Sequence, residues 1–276
     1  MKDRPSKFEV SLSGVPETML WPLWNRAAEA ARKDRLIDDP LARDLVSQIN
    51  YDFRGTFGKP NVLHAVRARI CDDLMRGFAD RHAGSALVVA LGEGLDTQYW
   101  RIGNEGLTWV SVDLPEAIEL RNRLLPQISD GIQVAQSAMD LSWLEAVPRD
   151  RPIFITAAGL LMYFSENDVR RLLSEIAARF PGSEIYFDTI TPYVSAMTMK
   201  GWRITKKYTT PEMPWGIHLE DIPTFVRTSM GDCEANIINY VRAFPKRTRL
   251  YALLSQISFI RRRYAGGLVH IHVPPQ

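Results

Sequence analysis

The stretch ALVVALGEGLDT, residues 86–97, runs from six consecutive apolar residues directly into a Gly-x-Gly turn. A short continuous apolar run closed by glycine is typical of a strand buried on both faces of a sheet. Gly92 can adopt a positive φ where the strand ends, and Gly94 allows a ligand to approach the backbone closely. The third glycine of a dinucleotide-binding fingerprint would stand at position 97. Thr97 occupies it, which argues against a pyrophosphate ligand.

Further strands and helices alternate along the rest of the chain. The same apolar pattern predicts strands at 107–112, 132–136, 152–158, 184–188 and 267–273. Helical periodicity predicts helices at 115–125, 141–146, 166–179, 219–228 and 250–263. This alternation predicts an α/β fold with a mostly parallel, doubly wound sheet. Residues 190–218 are rich in proline and aromatic residues, which indicates a long ordered loop with a functional role.

Residues 1–80 are predicted to be helical. Asn25 to Lys33 is rich in alanine and charged residues, and Pro40 stands near the first turn of a second helix. Residues 64–81 carry apolar side chains at i, i+4 spacing, which predicts an amphipathic helix. We expect residues 1–80 to form an N-terminal helical cap. Residues 81–276 would form the ligand-binding domain, with a substrate-side insertion at about 190–218.

Composition and charge exclude several classes of protein. The 276 residues carry a formal net charge of +2, so the charge gives no reason to expect a nucleic-acid partner. Cys71 and Cys233 are too few for a disulfide framework or a four-thiolate zinc site and indicate a reduced thiol pair. The charged N-terminus lacks the apolar region of a signal peptide, and no apolar run is long enough to span a membrane. We therefore expect a cytoplasmic protein.

Asp113 ends the second predicted strand, 21 residues past Gly92. An acidic residue at this position can accept hydrogen bonds from ribose hydroxyls, so the pair of glycines and Asp113 indicates an adenosine-type ligand. The alternative is that the glycines only make a tight turn between strand and helix.

Four segments of this region resemble the leucine carboxyl methyltransferase family, in particular its bacterial polyketide O-methyltransferase branch. They are VVALGEGLDTQYWR (88–101), VSVDLPEAIELRNRLLP (110–126), AMDLSW (138–143) and ITAAGLLMYF (155–164). The N-terminal segments GVPETMLWPLWNRA, IDDPLA and INYDF are similar to the same branch. The resemblance implies a class I, Rossmann-like methyltransferase with a mostly parallel seven-stranded sheet, helices on both faces and S-adenosylmethionine as cofactor.

The resemblance also implies roles for individual residues. Arg67 would pair with the cofactor carboxylate, as a guanidinium suits a carboxylate, with Arg69 as the neighbouring alternative. Asp96 would lie near the amino-acid end, and Asp113 would hold the ribose. The full set of implied cofactor contacts is Arg67, Gly92, Gly94, Asp96, Asp113, Leu114, Asp140 and Leu141, the last two flanking the adenine.

One position departs from the family pattern. Family members usually have Glu-Gly where this chain has Ala158-Gly159, so a carboxylate at the end of the fourth strand is missing. Its absence fits a changed acceptor, or a protein that binds the cofactor without methylating. Tyr163 keeps the family position, either as a catalytic group or as a packed aromatic with a bonded hydroxyl.

The acceptor is expected to be a small aromatic molecule. A carboxylate is already ionised at pH 7 and needs no base, whereas a phenol would profit from one. His218 is the candidate general base, and the alternative is an ordinary surface or packing histidine. The sequence shows no clear His–Asp pair that could act as a general base, which favours a carboxylate acceptor. Six aromatic residues are candidates for the walls of the acceptor pocket, and the alternative is that most of them pack in the core: Trp21, Trp24, Tyr51, Phe53, Trp202 and Trp215.

Two further possibilities stay open on the sequence. His270 and His272 share one face of the last strand, but two histidines without a third ligand make a weak metal site, and we expect no metal. A nicotinamide-dependent oxidoreductase is the alternative enzyme class, against which Thr97 argues.

Overall fold

The computed structural model describes residues 7–10, 12, 14–82, 85–103, 107–238 and 240–275. Its strands are β1 (Phe8–Glu9), β2 (Ile49–Asn50), β3 (Leu87–Leu91), β4 (Thr108–Asp113), β5 (Ile132–Ala135), β6 (Ile153–Ala157), β7 (Glu184–Asp188), β8 (Glu234–Ile238) and β9 (Leu268–His272). Its α-helices are α1 (Leu20–Ala30), α2 (Pro40–Gln48), α3 (Phe53–Phe57), α4 (Leu63–Arg81), α5 (Gln98–Ile102), α6 (Pro115–Leu124), α7 (Glu166–Arg179), α8 (Pro192–Thr198), α9 (Ile222–Met230), α10 (Arg249–Leu254) and α11 (Ser258–Tyr264).

Seven strands form one sheet in the order β5-β4-β3-β6-β7-β9-β8. The pairs from β5 to β7 are all parallel, and β9 runs antiparallel to both of its neighbours. The expectation of a mostly parallel seven-stranded sheet is therefore confirmed. Between β3 and β6 the order of the chain reverses, and in open α/β sheets ligands bind at such a point, outside the carboxyl ends of the strands.

Helices cover both faces of the sheet. On one face α7 and α9 pack with Trp143 against strand residues such as Val89 and Ile155. On the other face α4 contributes Met75 and Phe78, which pack against the opposite side chains of the same strands. All five residues of β3, β6 and β7 are buried, as the apolar runs of β3 and β6 predict. In β7 the buried residues include two carboxylates, Glu184 and Asp188.

The N-terminal helices have an apolar cluster of their own. Side chains of α1, α2 and α3 pack together around Leu20, Leu23 and Leu45, next to the short parallel pair β1–β2. α4 differs from them, because it packs directly on the sheet. The division of the chain at residue 80 remains a prediction.

Several predicted elements have different limits in the structure. The helix expected at 219–228 begins only at Ile222, after a 3₁₀ turn and with Pro223 in its first turn. The helix expected at 250–263 is two helices, α10 and α11, because the amides of Gln256 and Ile257 bond to carbonyls three residues back and end the first one. The segment 141–146 is a 3₁₀ helix.

Other elements were not predicted at all. The segment 190–218 contains α8, whose first turn is capped by the Thr191 side chain. β8 is a largely exposed edge strand, so it lacks the buried apolar pattern. In the described part of the chain, no helix is both long and apolar enough to cross a bilayer.

Candidate functional site

A cavity of about 510 Å³ opens at the carboxyl ends of β3, β4, β6 and β7. This is the volume of a typical small-molecule site. The sheet side of the cavity is formed by residues that end or follow these strands, among them Gly92, Asp113, Ala158 and Asp188. Residues of α1, α4 and the segment after β7 complete the lining. The cavity therefore lies at the point where the strand order reverses.

The glycine turn after β3 forms one wall of the cavity. Gly92 and Gly94 both have positive φ, +61° and +49°, a conformation that favours glycine. A Cβ on Gly94 would lie 2.9 Å from the Cβ of Met19, so the turn also packs closely against the N-terminal segment. The two glycines predicted from the sequence therefore have the backbone geometry expected of them, and both line the cavity.

Asp113 connects this turn to the end of β4. Its Oδ2 accepts a hydrogen bond of 2.7 Å from the Gly94 amide, and its Oδ1 accepts one of 2.8 Å from the Leu114 amide. Burial raises the pKa of the Asp113 carboxyl, although the two amides oppose this shift. Asp113 and Leu114 both line the cavity. Asp113 is thus a fixed carboxylate with acceptor capacity left for a sugar hydroxyl.

Arg67 and Asp188 form an ion pair within the lining. Arg67 Nη1 donates to Asp188 Oδ2 at 2.9 Å, and the Gly159 amide donates to the other oxygen of Asp188. Burial alone would lower the pKa of Arg67, but Asp188 more than offsets this and raises it. Arg69, the alternative to Arg67, instead lies on the exposed side of α4 and pairs with Asp73.

Asp96 lies at the cavity end of a buried ionic network. Arg101 Nη1 donates to Asp96 Oδ1 at 2.6 Å, and an Arg26 nitrogen lies 3.6 Å from Oδ2. The same two arginines pair with Asp39, which also accepts a hydrogen bond from Thr97. Although burial would raise the pKa of Asp96, Arg101 and Arg26 hold it well below its usual range.

Sequence reasoning missed most of this network. Arg121 also stabilises the glycine turn, since it donates hydrogen bonds to the carbonyl oxygens of Gly94 and Asp96 at 2.9 and 2.7 Å. Arg26, Asp39 and Arg101 are far apart in sequence, and no local pattern indicates their pairing.

The lining fits the cofactor that the resemblance implies. Asp113 would hold the ribose, and Arg67 and Asp96 offer opposite charges to the carboxylate and ammonium of the amino-acid end. The glycine backbone between them leaves room for the ligand, because no side chain projects from it.

Two of the predicted adenine contacts lie outside the lining. Asp140 is exposed, and its side chain caps the 3₁₀ helix by accepting a hydrogen bond from the Ser142 amide. Leu141 packs against the sheet core. Ser137 and Ala138, just before them, line the cavity instead. A role of Asp140 and Leu141 in binding stays a prediction.

Ala158, Tyr163 and His218 have different surroundings. Ala158 lines the cavity beside Asp188, which brings a carboxylate from the next strand close to the position where the family carboxylate is missing. Tyr163 also lines the cavity, and burial raises the pKa of its hydroxyl. His218 lies outside the lining, immediately before a 3₁₀ turn.

Only part of the expected aromatic wall faces the cavity. Trp21 and Trp202 line it, together with Tyr240 and Tyr264, which were not predicted. The other candidates are corrected to packing residues because their rings contact the apolar clusters of the core: Trp24, Tyr51, Phe53 and Trp215.

His64 is the imidazole that the structure places in the lining. It stands on α4 one turn before Arg67, and its ring and that of Trp21 pack edge to face with their centroids 5.5 Å apart. Burial and the nearby charges of Arg67 and Arg26 hold the pKa of His64 well below its usual value. Sequence reasoning missed His64, although its i, i+3 spacing to Arg67 was available as a signal.

His270 and His272 are joined by a third potential ligand, Glu184 of β7. The nitrogen and oxygen atoms that could bind a metal lie within 4.8 Å of one another. The carboxylate of Glu184 is, however, already engaged by His270 at 2.8 Å and by Arg81 at 2.6 Å. This cluster lies at the amino end of β7, whereas the cavity lies at the carboxyl ends of the strands.

Comparison with known proteins gives consistent matches. The family model described as leucine carboxyl methyltransferase matches residues 20–177. The tetracenomycin polyketide synthesis O-methyltransferase TcmP of Streptomyces glaucescens is 33% identical over 187 residues, 67% of this chain and 69% of that protein. The S-adenosyl-L-methionine-dependent methyltransferase dpfgK of Gibberella zeae is 30% identical over 203 residues, 66% of this chain and 68% of that protein.

Solved structures share the fold at low sequence identity. A putative methyltransferase from Thermobifida fusca matches with a TM-score of 0.56 and 15% identity, covering 91% of this chain and 94% of that one. The plantazolicin methyltransferase BamL, solved with a triazolic desmethylPZN analogue and SAH, matches with a TM-score of 0.53 and 10% identity, covering 94% of this chain and 99% of that one. These matches show the Rossmann-like methyltransferase fold.

Proposed function

We propose that this chain, which belongs to the leucine carboxyl methyltransferase family, methylates a carboxylate oxygen of a small aromatic metabolite. That it is an S-adenosylmethionine-dependent methyltransferase follows from the family match and from its relatives. The nature of the acceptor is our proposal. A role in secondary metabolism of the polyketide type is supported by the name of the tetracenomycin relative, and a cytoplasmic location remains part of the same proposal.

A single observation carries the acceptor class: the lining of one cavity combines charged and aromatic side chains. Arg67, Asp96 and Asp113 belong to it, and so do Trp202 and Tyr264. Flat aromatic molecules suit such walls. The bound cofactor would supply a sulfonium-activated methyl group and its leaving group. The chain's own task is to hold donor and acceptor in line and to exclude water.

No carboxylate of the described lining is an unpartnered general base. Each of its carboxylates is already paired with an arginine or accepts backbone hydrogen bonds: Glu93 with Arg121, Asp96 with Arg101, Asp113 with two amides and Asp188 with Arg67. Burial raises the pKa of Tyr163, so its hydroxyl keeps its proton at neutral pH. An acceptor that arrives ionised therefore fits the site better than a neutral phenol.

The acceptor class can be tested with matched compounds. The purified protein is incubated with methyl-labelled S-adenosylmethionine and with aromatic acids, the corresponding phenols and the corresponding amines, and the products are identified by mass. Mild alkali releases labelled methanol from a methyl ester but leaves a methyl aryl ether or a methylamine intact. We expect label in alkali-labile products of the acids. Label confined to alkali-stable products contradicts the proposal.

A further inference from the structure

His64 is held in one orientation by Asn25, whose side chain is fully buried. The amide of Asn61 donates to Asn25 Oδ1 at 3.1 Å. Because a backbone N–H can only donate, this contact identifies the Asn25 atom facing it as the oxygen. The other end of the side chain, Nδ2, must then face His64, where it lies within hydrogen-bond distance of Nδ1.

This contact determines the tautomer of His64. The amide nitrogen of Asn25 has no lone pair to offer, so it donates, and His64 Nδ1 accepts. A neutral imidazole that accepts at Nδ1 carries its proton on Nε2. Burial and the charges of Arg26 on α1 and Arg67 on α4 disfavour the doubly protonated form. His64 Nε2 forms no hydrogen bond to any residue that the structure describes.

His64 belongs to the same cavity lining as Arg67. His64 and Arg67 are three residues apart on α4 and therefore share a helix face. The Nδ1 atom of His64 faces Asn25, which lies outside the lining, whereas His64 itself belongs to the lining. Trp21 and Met162 lie with it in the same lining.

We propose that His64 binds the methyl acceptor as a fixed neutral hydrogen-bond donor through Nε2–H and thereby selects acceptors whose oxygen is already ionised. This inference rests on the proposed function. The attacking carboxylate oxygen forms a bond to the methyl carbon as the carbon–sulfur bond breaks, and the electron pair stays on sulfur. No proton moves in this step. A neutral phenol would have to lose its proton, and His64 cannot accept it, because Nε2 is protonated and Nδ1 faces an amide donor.

The first test measures the tautomer and acceptor binding without turnover. Nitrogen-15 NMR of the wild-type imidazoles should show His64 with a protonated Nε2 at neutral pH. Calorimetry with S-adenosylhomocysteine present should show that His64→Leu weakens binding of an aromatic carboxylate about 10- to 100-fold, the loss of a hydrogen bond to a charged group. His64→Gln, which places an amide N–H near Nε2, should retain most of the affinity. His82→Leu, at the other end of α4, is the control.

The second test converts Nε2 of His64 from a hydrogen-bond donor into an acceptor. Asn25→Asp keeps an acceptor for the Asn61 amide but places a carboxylate against Nδ1, which should move the proton to Nδ1 and leave a lone pair on Nε2. We expect weaker carboxylate binding and a gain in phenol methylation relative to wild type. Thermal unfolding of each variant shows whether it is folded, and the NMR result on the wild type does not depend on any variant.

The outcomes separate the two proposals. A wild-type enzyme that methylates phenols and not carboxylates overturns the proposed function, and the selection of ionised acceptors with it. A wild-type enzyme that methylates carboxylates, but whose acceptor affinity is unchanged in His64→Leu, overturns only the role of His64. An NMR spectrum with the proton on Nδ1 also overturns that role.

Discussion

Arg67 and Asp188 stand 121 residues apart in sequence and form a 2.9 Å ion pair in the cavity wall. Asp188 also accepts the amide of Gly159, the residue that follows Ala158. The strand beside β6 thus supplies a carboxylate close to the position where the family resemblance leads one to expect Glu. A residue of the N-terminal helices and a residue of the sheet are thereby fixed relative to each other.

Asp188→Asn should weaken S-adenosylmethionine binding about tenfold, equivalent to about 1.4 kcal/mol. The substitution removes the charge that orients Arg67, and the guanidinium then meets the cofactor carboxylate in a less fixed position. Isothermal titration calorimetry measures the effect. Asp73→Asn is the matched control, because Asp73 forms an exposed ion pair with Arg69 on the same helix, and such pairs contribute little. Equal affinities for wild type and Asp188→Asn contradict the expectation.

Gly94→Ala should lower both stability and cofactor affinity. The φ of +49° strains an L-residue by about 1–2 kcal/mol, and the new Cβ would lie 2.9 Å from Met19. Gly182→Ala separates the two effects, since Gly182 has a φ of +79°, lies outside the cavity lining, and no atom of the described residues lies within 4 Å of where its Cβ would stand. In thermal unfolding and calorimetry, Gly182→Ala should show only the strain. A Gly94→Ala variant no worse than Gly182→Ala would mean that the turn does not need close packing.

Asp113→Ala should weaken cofactor binding about 10- to 100-fold, because a hydrogen bond to a charged group is worth about 1.5–3 kcal/mol. The comparison is made by calorimetry with S-adenosylhomocysteine, which carries the same ribose. Glu119→Ala, an exposed substitution on α6, is the control. Since Asp113 also accepts the Gly94 amide, thermal unfolding is measured in parallel. Unchanged affinity in a folded Asp113→Ala variant rules out the ribose contact.

The pH dependence of stability should carry a contribution from Asp96. Its pKa is held below the usual range by Arg101 and Arg26, against the effect of burial. A lowered pKa in the folded state stabilises the protein above the unfolded-state value of about 3.9, and this stabilisation is lost as the pH falls below it. Urea unfolding at pH 7, 5, 4 and 3 should show a steeper decline for wild type than for Asp96→Asn. Parallel curves would exclude the contribution.

Asp39→Ala should reduce the free energy of unfolding by about 3–5 kcal/mol, since it leaves Arg26 and Arg101 with one carboxylate fewer in a buried site. The neighbouring Asp38 is the control: its side chain is 72% exposed and pairs only with Arg35 among the described residues. Asp38→Ala should change stability by less than about 1 kcal/mol. Urea unfolding at neutral pH compares the two, and similar losses would contradict a structural role of the network.

The strands were predictable where burial alone determines the sequence. β3, β6 and β7 are buried on both faces, so their residues are mostly apolar, and Gly92 and Asp188 mark the ends of β3 and β7. β8 escaped prediction because an exposed edge strand needs no such pattern. The break between α10 and α11 also escaped, since both helices are largely exposed and the apolar spacing continues across it.

The site was predictable only where a residue follows a strand or belongs to a family segment. Gly92, Gly94 and Asp113 follow from the chain order of strands and turns, and all three line the cavity. Asp188 ends a predicted strand and was a missed signal of the same kind. The position of Arg26 in the lining depends on how α1 packs against α4, which one sequence does not reveal locally.

The ionic network around Asp39 has a practical consequence for protein engineering. Because Arg26 and Asp39 on one side meet Arg101 and Asp96 on the other, the first 80 residues share buried charges with the glycine turn. A chimera that exchanges this region with a relative, in order to change the range of acceptors, would leave those buried charges without partners. The N-terminal region and the glycine turn must therefore be exchanged together. Compatible crossover points must therefore be sought by the pairing of these four side chains rather than by the boundaries of helices.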